Sequence, residues 1–272
     1  EISECLVGSE MCIRDRVHPS EEIKGTVEFD HVSFAYPDAG ENVLTDISFK
    51  AEKGQTLAVI GSTGSGKSSL INLIPRFYDV IQGCVKVDGV DVRSMSQKEL
   101  RDRLGYVPQK GVLFSGTIDS NIRYGKTDIS EEQVKKAAMV AQAQDFIEEK
   151  PHGYESPVAQ GGTNVSGGQK QRLSIARAVA KDPEIFIFDD SFSALDFKTD
   201  KALRKALKEH TKNATTIIVA QRISTILNAD QILVLDDGKM AGLGTHRELM
   251  KNCEVYRQIA MSQLSEEELA NE

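Results

Sequence analysis

The apolar positions of this chain follow two distinct patterns. The segments TVEFDHVSFAY and DISFKAEKG alternate apolar and polar residues, which indicates antiparallel strands with one face in water. The segments TLAVIG, EIFIFDD, TTIIVA and QILVLDDG are short, nearly continuous runs rich in Val, Ile and Leu, typical of parallel strands covered on both faces by crossover helices. The patterns predict an α/β fold with a mostly parallel sheet and an N-terminal antiparallel β-subdomain.

The middle of the chain, from about residue 118 to 180, carries helical patterns and few strand patterns. The stretch SEEQVKKAAMVAQAQDFIEE is amphipathic and begins at Ser130, a residue type that caps helix N-termini. We expect an α-helical subdomain inserted into the α/β core, with one domain covering residues 25–264.

The two ends of the chain do not follow these patterns. Residues 1–24 are expected to be a linker or an artefactual segment, because EISECLVGSEMCIRDR lacks the apolar core of a secretory signal and resembles translated adapter sequence. Residues 265–272 are expected to be a solvated acidic tail.

Composition narrows the class of protein. With 272 residues, 40% of them apolar and 27% charged, the chain is expected to be a soluble globular protein that folds without stabilising disulfides or structural metals. The net charge of -8 argues against a nucleic acid as main partner. The four cysteines lack disulfide or metal spacing, which disfavours zinc and favours a reducing compartment. No apolar run reaches the roughly 18 residues of a membrane span, so we expect another segment or chain to supply any membrane part.

The stretch GSTGSGKSS, residues 61–69, follows the strand pattern TLAVI and precedes a helical pattern. In that context it matches the phosphate-binding loop G-x-x-x-x-G-K-[ST]. The glycines let successive backbone N–H groups surround a phosphate at the positive end of the helix. Lys67 is expected to reach the β- and γ-phosphates of a nucleotide, and Ser68 to ligate Mg²⁺.

Two adjacent carboxylates, Asp189 and Asp190, end the apolar run in IFIFDDSFSALD. In phosphate-loop NTPases an acid at the end of a buried strand binds Mg²⁺ through water. Asp189 has that position, so we predict that it serves the metal. This pattern does not assign a role to the second acid, Asp190.

The stretch VSGGQKQR, residues 165–172, is the most diagnostic. Together with the phosphate loop it resembles the signature of the ATP-binding cassette (ABC) superfamily, with Val165 where Leu is usual, and the resemblance covers roughly residues 25–264. In that family the signature contacts the γ-phosphate bound to the opposite subunit, in a head-to-tail dimer. The residues that would contact the partner's ATP are Ser166, Gly167, Gly168 and Gln169.

Other motifs match the family one at a time. Tyr36 resembles the aromatic residue that stacks on adenine, and Gln109 in YVPQK resembles the glutamine that contacts Mg²⁺ and the attacking water. The loop SALD, residues 193–196, resembles the one that meets its counterpart across the dimer. The segments FSGTIDSNI and RFYDVIQGCVKVDGVDVRSM are similar to those of exporters.

The resemblance implies a phosphate-loop NTPase (RecA-like) core with ATP and Mg²⁺ as cofactors. Its ATP-binding residues would be Tyr36, Ser62, Thr63, Gly64, Ser65, Gly66, Lys67, Ser68, Ser69, Gln109 and Asp189. Its Mg²⁺ ligands would be Ser68, Gln109 and Asp189, and its catalytic residues Asp190, Gln221 and Gln109.

Besides Val165, three further positions depart from the family pattern. Asp190 stands where the catalytic Glu is usual, which shortens the side chain by one methylene. Gln221 in VAQRIS stands where His is usual, and glutamine cannot become a cation. Gln160 in VAQGG stands where exporters often have Glu, which puts the usual contact with the membrane domain in doubt.

These departures affect hydrolysis more than binding, because the residues expected to bind ATP are all present. We therefore expect weak or absent hydrolysis at this chain's own site, with its signature completing the site of a partner cassette. That is the pattern of the degenerate subunit in a heterodimeric exporter on the cytoplasmic face of the inner membrane, joined to transmembrane domains.

Two other interpretations remain open at this point. One is a homodimeric exporter cassette in which Asp190 and Gln221 suffice for ordinary turnover. The other is a soluble cassette protein that acts as a nucleotide-gated clamp on nucleic acid or ribosomes. The exporter-like segments and the acidic net charge speak against the second.

Overall fold

The computed structural model describes residues 17–19, 24–37, 39–126 and 128–264. The expected adapter-like segment at residues 1–16 and the expected acidic tail at 265–272 lie outside the described residues. The chain forms two compact units. Among the described residues, the first comprises 17–19, 24–37, 39–53, 60–103 and 231–264, and the second comprises 54–59, 104–126 and 128–230.

The described residues form both strands and helices. The strands are β1 (Val27–Phe34), β2 (Leu44–Ala51), β3 (Thr56–Gly61), β4 (Gln82–Val87), β5 (Val90–Asp91), β6 (Leu104–Val107), β7 (Gly116–Thr117), β8 (Pro157–Val158), β9 (Ile185–Asp189), β10 (Thr215–Val219), β11 (Gln231–Asp236) and β12 (Lys239–Gly244). The α-helices are α1 (Lys67–Leu73), α2 (Gln97–Asp102), α3 (Ile118–Ile122), α4 (Glu131–Val140), α5 (Gln144–Glu148), α6 (Gly167–Lys181), α7 (Phe197–His210), α8 (His246–Asn252) and α9 (Glu254–Gln263).

The first unit contains the predicted antiparallel sheet, in the order β2-β1-β4-β5. The alternating pattern of β1 works as expected, since Val27 and Phe29 are buried while Glu28 between them is partly exposed. Phe29 lies opposite Phe49 of β2, and the two rings stack with centroids 4.6 Å apart. Cross-strand aromatic pairs of this kind stabilise the sheet and define its register.

The apolar run of β11 also belongs to the first unit, and its pairing with β12 corrects part of the sequence-based expectation. The run is buried as predicted, but β11 pairs antiparallel with β12. The cause is the connection, because Asp237 and Gly238 both have positive φ, 45° and 71°. A two-residue Asp-Gly turn of this type joins antiparallel strands.

The second unit contains a parallel sheet, in which β3, β10, β9 and β6 lie side by side in that order. Ile185 of β9 lies opposite Thr215 of β10 on one side and Leu104 of β6 on the other. All five residues of β9 are buried, as its uninterrupted apolar run predicts. The α/β fold with a mostly parallel sheet and a separate antiparallel sheet is confirmed.

Helices α3 to α6 occupy the chain between β6 and β9 of the second unit. The predicted cap of α4 is present, since Ser130 Oγ accepts a hydrogen bond from Gln133 N and the Gln133 side chain accepts one from Ser130 N. The 15-residue helix α6 packs against α3 and α4. The limits of a helical subdomain at 118–180 and of the whole domain at 25–264 stay predictions. None of the helices in the described ranges is long and apolar enough to cross a membrane.

Candidate functional site

The expected phosphate loop, residues 61–69, lies in the first unit and leads into α1. Gly64 and Gly66 have φ of 86° and 94°, backbone angles that residues with a side chain rarely adopt. A Cβ at Gly66 would also lie 2.8 Å from Leu44 Cδ2. At the cap of α1, Gly66 supplies no side-chain acceptor for the first N–H groups. The loop therefore ends in a helix N-terminus at which an anion can accept hydrogen bonds.

Lys67 carries the positive charge of this loop. Its Nζ donates to Gly61 O at 2.8 Å and to Ser62 O at 2.6 Å, and lies 3.4 Å from Ser65 Oγ. The ammonium group is thus held over the loop by the loop's own oxygens. Three of the loop's other predicted residues, Ser62, Thr63 and Gly64, are exposed.

Tyr36 lies close to the end of the loop. Its hydroxyl and Ser69 Oγ are hydrogen-bonded at 2.9 Å. The ring is half-buried and packs edge-on against Phe34 and Tyr78, with centroids 5.0 and 5.1 Å away. The structure therefore brings Tyr36 to the helix that follows the loop, whereas its stacking on adenine stays a prediction.

The two predicted acids lie at the end of β9 in the second unit. Asp189 is the last residue of the strand, and both Asp189 and Asp190 are buried, with 7% and 9% of their surface exposed. Asp190 has a left-handed φ of 44°, and its N–H donates to Val219 O at 3.0 Å. Aspartate is among the residues that tolerate this conformation, which is common at functional sites. Burial, together with the nearby charge of Asp189, raises the pKa of Tyr106.

The Asp190 carboxylate joins two residues that are distant in sequence. Gln221 Nε2 donates to Asp190 Oδ2 at 2.7 Å, and Gln109 Nε2 donates to the same oxygen at 3.2 Å. Both glutamines are exposed, so the cluster faces solvent. We call Gln109, Asp190 and Gln221 the carboxylate–amide cluster. An amide can donate to this carboxylate but cannot add the positive charge that a histidine could.

The signature stretch begins helix α6. Ser166 is its N-cap, where Oγ accepts from Gln169 N at 3.3 Å and Gln169 Oε1 accepts from Ser166 N at 3.1 Å. Gly167 lies at the open helix end, where a Cβ would meet no heavy atom of the described residues within 4 Å beyond its own helix, and a Cβ at Gly168 would make an ordinary contact of 3.5 Å with Ala194 O. This capping box gives the stretch a structural role, and the Ser166 hydroxyl keeps a proton that it can donate.

The loop after Asp190 is also ordered by capping. Asp196 is the N-cap of α7, and its side chain accepts from Thr199 N at 3.0 Å. That hydrogen bond holds the pKa of Asp196 below its usual value. The SALD loop therefore leads directly into a helix, with Ser193 Oγ donating to Asp190 O at 3.0 Å.

Comparison with known proteins identifies the family. The family model described as "ABC transporter" matches residues 44–193. The chain belongs to the ABC transporter family. It is similar to an uncharacterized ABC transporter ATP-binding protein of Mycobacterium tuberculosis, with 47% identity over 248 residues, which cover 90% of this chain and 42% of that protein.

Two further relatives agree with this assignment to the ABC ATP-binding domain. A Bacillus subtilis protein, YgaD, named for multidrug export as an ATP-binding/permease protein, is 44% identical over 240 residues, 88% of this chain and 41% of that protein. The structure of a bacterial Atm1-family ABC exporter with ATP bound matches with a TM-score of 0.86 and 38% identity, covering 92% of this chain and 43% of that one. The chain thus spans about two fifths of the length of these relatives.

Arg177 of the ABC domain was not predicted from the sequence. From α6, its guanidinium donates to Asn121 O at 2.8 Å, Asn121 Oδ1 at 3.0 Å and Val112 O at 2.9 Å. It also lies over the rings of Phe114 and Tyr124. Burial lowers the pKa of Arg177 to about 10. A charged residue inside the apolar pattern LSIARAVA was the available signal, because such a residue is buried only with partners.

Arg177 supports an exposed aromatic surface. Phe114 and Tyr124 stack with centroids 4.2 Å apart, yet 41% and 54% of their surface is exposed. Val112, in the same loop as Phe114, is 51% exposed. Clustered exposed apolar side chains of this kind mark contact sites more often than isolated ones do.

Proposed function

We propose that this chain is the ATP-binding cassette of an ABC exporter, that it binds Mg²⁺–ATP, and that its own site hydrolyses ATP weakly or not at all. The observation that carries the proposal is the carboxylate–amide cluster. Asp190 Oδ2 there accepts from two neutral amides, at 2.7 and 3.2 Å. The family's usual Glu and His are both replaced.

The phosphate-loop residues of the first unit suit a nucleoside triphosphate. A Cβ at Gly66 would lie only 2.8 Å from Leu44 Cδ2, so the loop has no room for a side chain at this position. Lys67 supplies a cation, and the cap of α1 lacks a side-chain acceptor. We propose that Lys67 and the loop N–H groups bind the phosphates and that Tyr36 stacks on adenine.

The predicted metal ligands are all oxygen donors on the protein side. The Ser68 hydroxyl, the Gln109 amide oxygen and the Asp189 carboxylate suit Mg²⁺, which prefers oxygen and keeps several waters. When bound, Mg²⁺ neutralises charge on the phosphates. We propose these three residues as its protein ligands, directly or through water.

Impaired hydrolysis follows from the length and the partners of Asp190. One methylene fewer retracts the carboxylate by about 1 Å, and a misplacement of that size can cost on the order of 10²-fold in rate. The same carboxylate accepts hydrogen bonds from Gln109 and Gln221, which stabilise it as an acceptor but cannot take up a proton themselves. Losing a well-placed general base costs about 10²- to 10⁴-fold.

The nearly intact signature indicates a second role, in a partner's site. Ser166 can still donate its hydroxyl proton, and α6 is a 15-residue helix whose N-terminus favours an anion. We propose that Ser166, Gly167, Gly168 and Gln169 contact the γ-phosphate of ATP on a second cassette. An impaired site and an intact signature in one chain favour a heterodimer.

The remaining partners are transmembrane domains. Relatives named as ATP-binding/permease proteins are more than twice as long as their match to this chain, which supports a transport role over a soluble clamp. We propose that the cassette works at the cytoplasmic face of the inner membrane. The stacked, exposed Phe114 and Tyr124 form the surface that we propose for contact with the transmembrane part.

Two measurements test this function. Binding of a fluorescent ATP analogue to the chain should be retained and should weaken at least about 10-fold in Lys67→Ala, since one lost charge contact is worth more than about 1.4 kcal/mol. In the complete transporter, Asp190→Glu with Gln221→His should raise hydrolysis at this site. An unchanged rate would refute the impairment.

The competent homodimer is tested by the unmodified chain alone. Mg²⁺-dependent turnover near the common enzyme range of about 1 s⁻¹ or above, at micromolar concentration, would favour it and contradict the impaired site. Turnover at least about 100-fold slower is expected under the proposal.

A further inference from the structure

Gln171 is a buried polar residue of α6 that the proposed function does not use. Only 1% of its surface is exposed. Its Oε1 accepts from Gly111 N at 2.9 Å, and its Nε2 donates to Pro108 O at 3.1 Å. One side-chain amide thus bridges the two ends of the loop 108–111, which contains Gln109.

The loop is in direct contact with the helix at the same point. A Cβ at Gly111 would lie 2.8 Å from both C and O of Lys170, so Gly111 packs on the backbone of α6. Just before the loop, Val107 O accepts from Ser191 Oγ at 2.9 Å, and Ser191 is fully buried. The segment that carries Gln109 is therefore fixed at both ends, by the signature helix and by the residue after Asp190.

Gln109 itself is exposed and meets Asp190 through a single long hydrogen bond of 3.2 Å. An exposed side chain on a short loop takes its position from the backbone that carries it. The Gln171 contacts constrain that backbone position, because they satisfy a partly buried N–H and a partly buried C=O on either side of Gln109.

We propose that Gln171 is a positioning residue for Gln109. It holds the loop 108–111 on α6 so that the Gln109 amide reaches Asp190, and it ties the helix that begins at the signature to the carboxylate–amide cluster. The inference rests on the proposed function for its consequence in ATP hydrolysis, but the positioning itself is independent of nucleotide.

Three variants separate positioning from general stability. Gln171→Met keeps the shape and loses both hydrogen bonds. Gln171→Glu keeps them only in its neutral acid form, whose O–H can donate to Pro108 O. Ser174→Ala is the matched control, since Ser174 is buried on the same helix and its hydroxyl has no hydrogen-bond partner among the described residues.

Nuclear magnetic resonance of the chain reports the loop directly. In Gln171→Met the Gly111 amide should exchange with solvent at least about 10-fold faster, because its buried acceptor is gone, and the Gln109 side-chain amide signals should move toward those of a free glutamine. Ser174→Ala should leave both unchanged. Unchanged Gly111 exchange and Gln109 signals in Gln171→Met would overturn the proposal.

The Glu variant supplies a rescue that a merely structural role would not show. Burial raises the pKa of a carboxyl above its ordinary value of about 4.3, so the neutral form dominates at low pH. The Gln109 signals of Gln171→Glu should match the unmodified chain near about pH 5 and depart from it near about pH 8. Signals that stay displaced at both pH values would contradict the hydrogen-bond mechanism.

The link to Mg²⁺–ATP is measured separately. In Gln171→Met the Mg²⁺ concentration for half-maximal tightening of fluorescent ATP analogue binding should rise about 3- to 10-fold, with affinity in EDTA unchanged, and Gln109→Ala should match it without adding to it. An equal loss in EDTA would indicate a structural role only. If the unmodified chain binds no nucleotide, the proposed function fails while the resonance data still decide the positioning.

Discussion

The hydrogen bond from Gln221 to Asp190 should couple the two residues energetically. The perturbation is a double-mutant cycle with Asp190→Ala, Gln221→Ala and the double variant. The bond is short, 2.7 Å, and its acceptor is a carboxylate that is 9% exposed. Hydrogen bonds to charged groups typically contribute about 1.5 to 3 kcal/mol.

The exposure of Gln221 reduces that figure. Because water competes for an exposed amide, we expect a coupling of about 1 kcal/mol, inside the range of about 0.5 to 3 kcal/mol seen for residues in contact. Alanine at position 190 also adds strain at φ 44°, but this cost appears in both variants that carry it and cancels in the cycle. The longer bond from Gln109, 3.2 Å, should give a smaller coupling.

Urea unfolding followed by circular dichroism measures each free energy of unfolding, since the chain has no tryptophan for fluorescence. Gln133→Ala in place of Gln221→Ala is the control, because the Gln133 side chain is used in capping α4. Additivity of Asp190→Ala and Gln221→Ala within about 0.3 kcal/mol would refute the coupling. Equal coupling in the control cycle would refute its specificity.

Three further predictions use other parts of the chain. Arg177→Met should lower the free energy of unfolding by about 3 kcal/mol, because three acceptors lose a charged donor, and Arg177→Lys by less; thermal unfolding measures both. Lys67→Ala should bind ATP more weakly while its melting temperature stays unchanged. A comparable loss of ATP affinity and of thermal stability would contradict a binding role. Burial lowers the pKa of His210, so the unfolded chain binds more protons between the ordinary value of 6.5 and the lower folded one, and stability should fall as pH decreases through that window. His210→Gln should flatten this dependence in urea titrations, and an unaltered slope would contradict it.

Local sequence patterns were sufficient to predict the strands and helix starts that depend only on neighbouring residues. The uninterrupted apolar run of β9 predicts a strand buried on both faces, and Ser130 predicts a helix start, because each depends on residues within one turn or one strand. The antiparallel pairing of β11 was missed although Asp237 and Gly238 were a readable turn signal.

The carboxylate–amide cluster could be predicted only in part. Resemblance to the family brought Gln109, Asp190 and Gln221 together as candidates, but not their hydrogen bonding. The two glutamines lie 81 and 31 residues from Asp190 in sequence, and both donate to one oxygen. That geometry depends on the register of β6, β9 and β10, which no local pattern encodes. The same reason hid Gln171, whose partners lie 60 and 63 residues away.

The two replaced residues of the site are physically linked. Asp190 keeps its carboxylate close to a left-handed backbone that aspartate tolerates well, and Gln221 places a neutral donor on that carboxylate. A glutamate at position 190 alone would extend the carboxylate about 1 Å beyond the Gln221 amide. A histidine at position 221 alone would place a titratable ring beside the Asp190 carboxylate, which would still be one methylene shorter than the family's usual glutamate. Each single reversal therefore leaves one partner mismatched, so under the proposed impairment we expect a gain in hydrolysis only when Asp190→Glu and Gln221→His are combined.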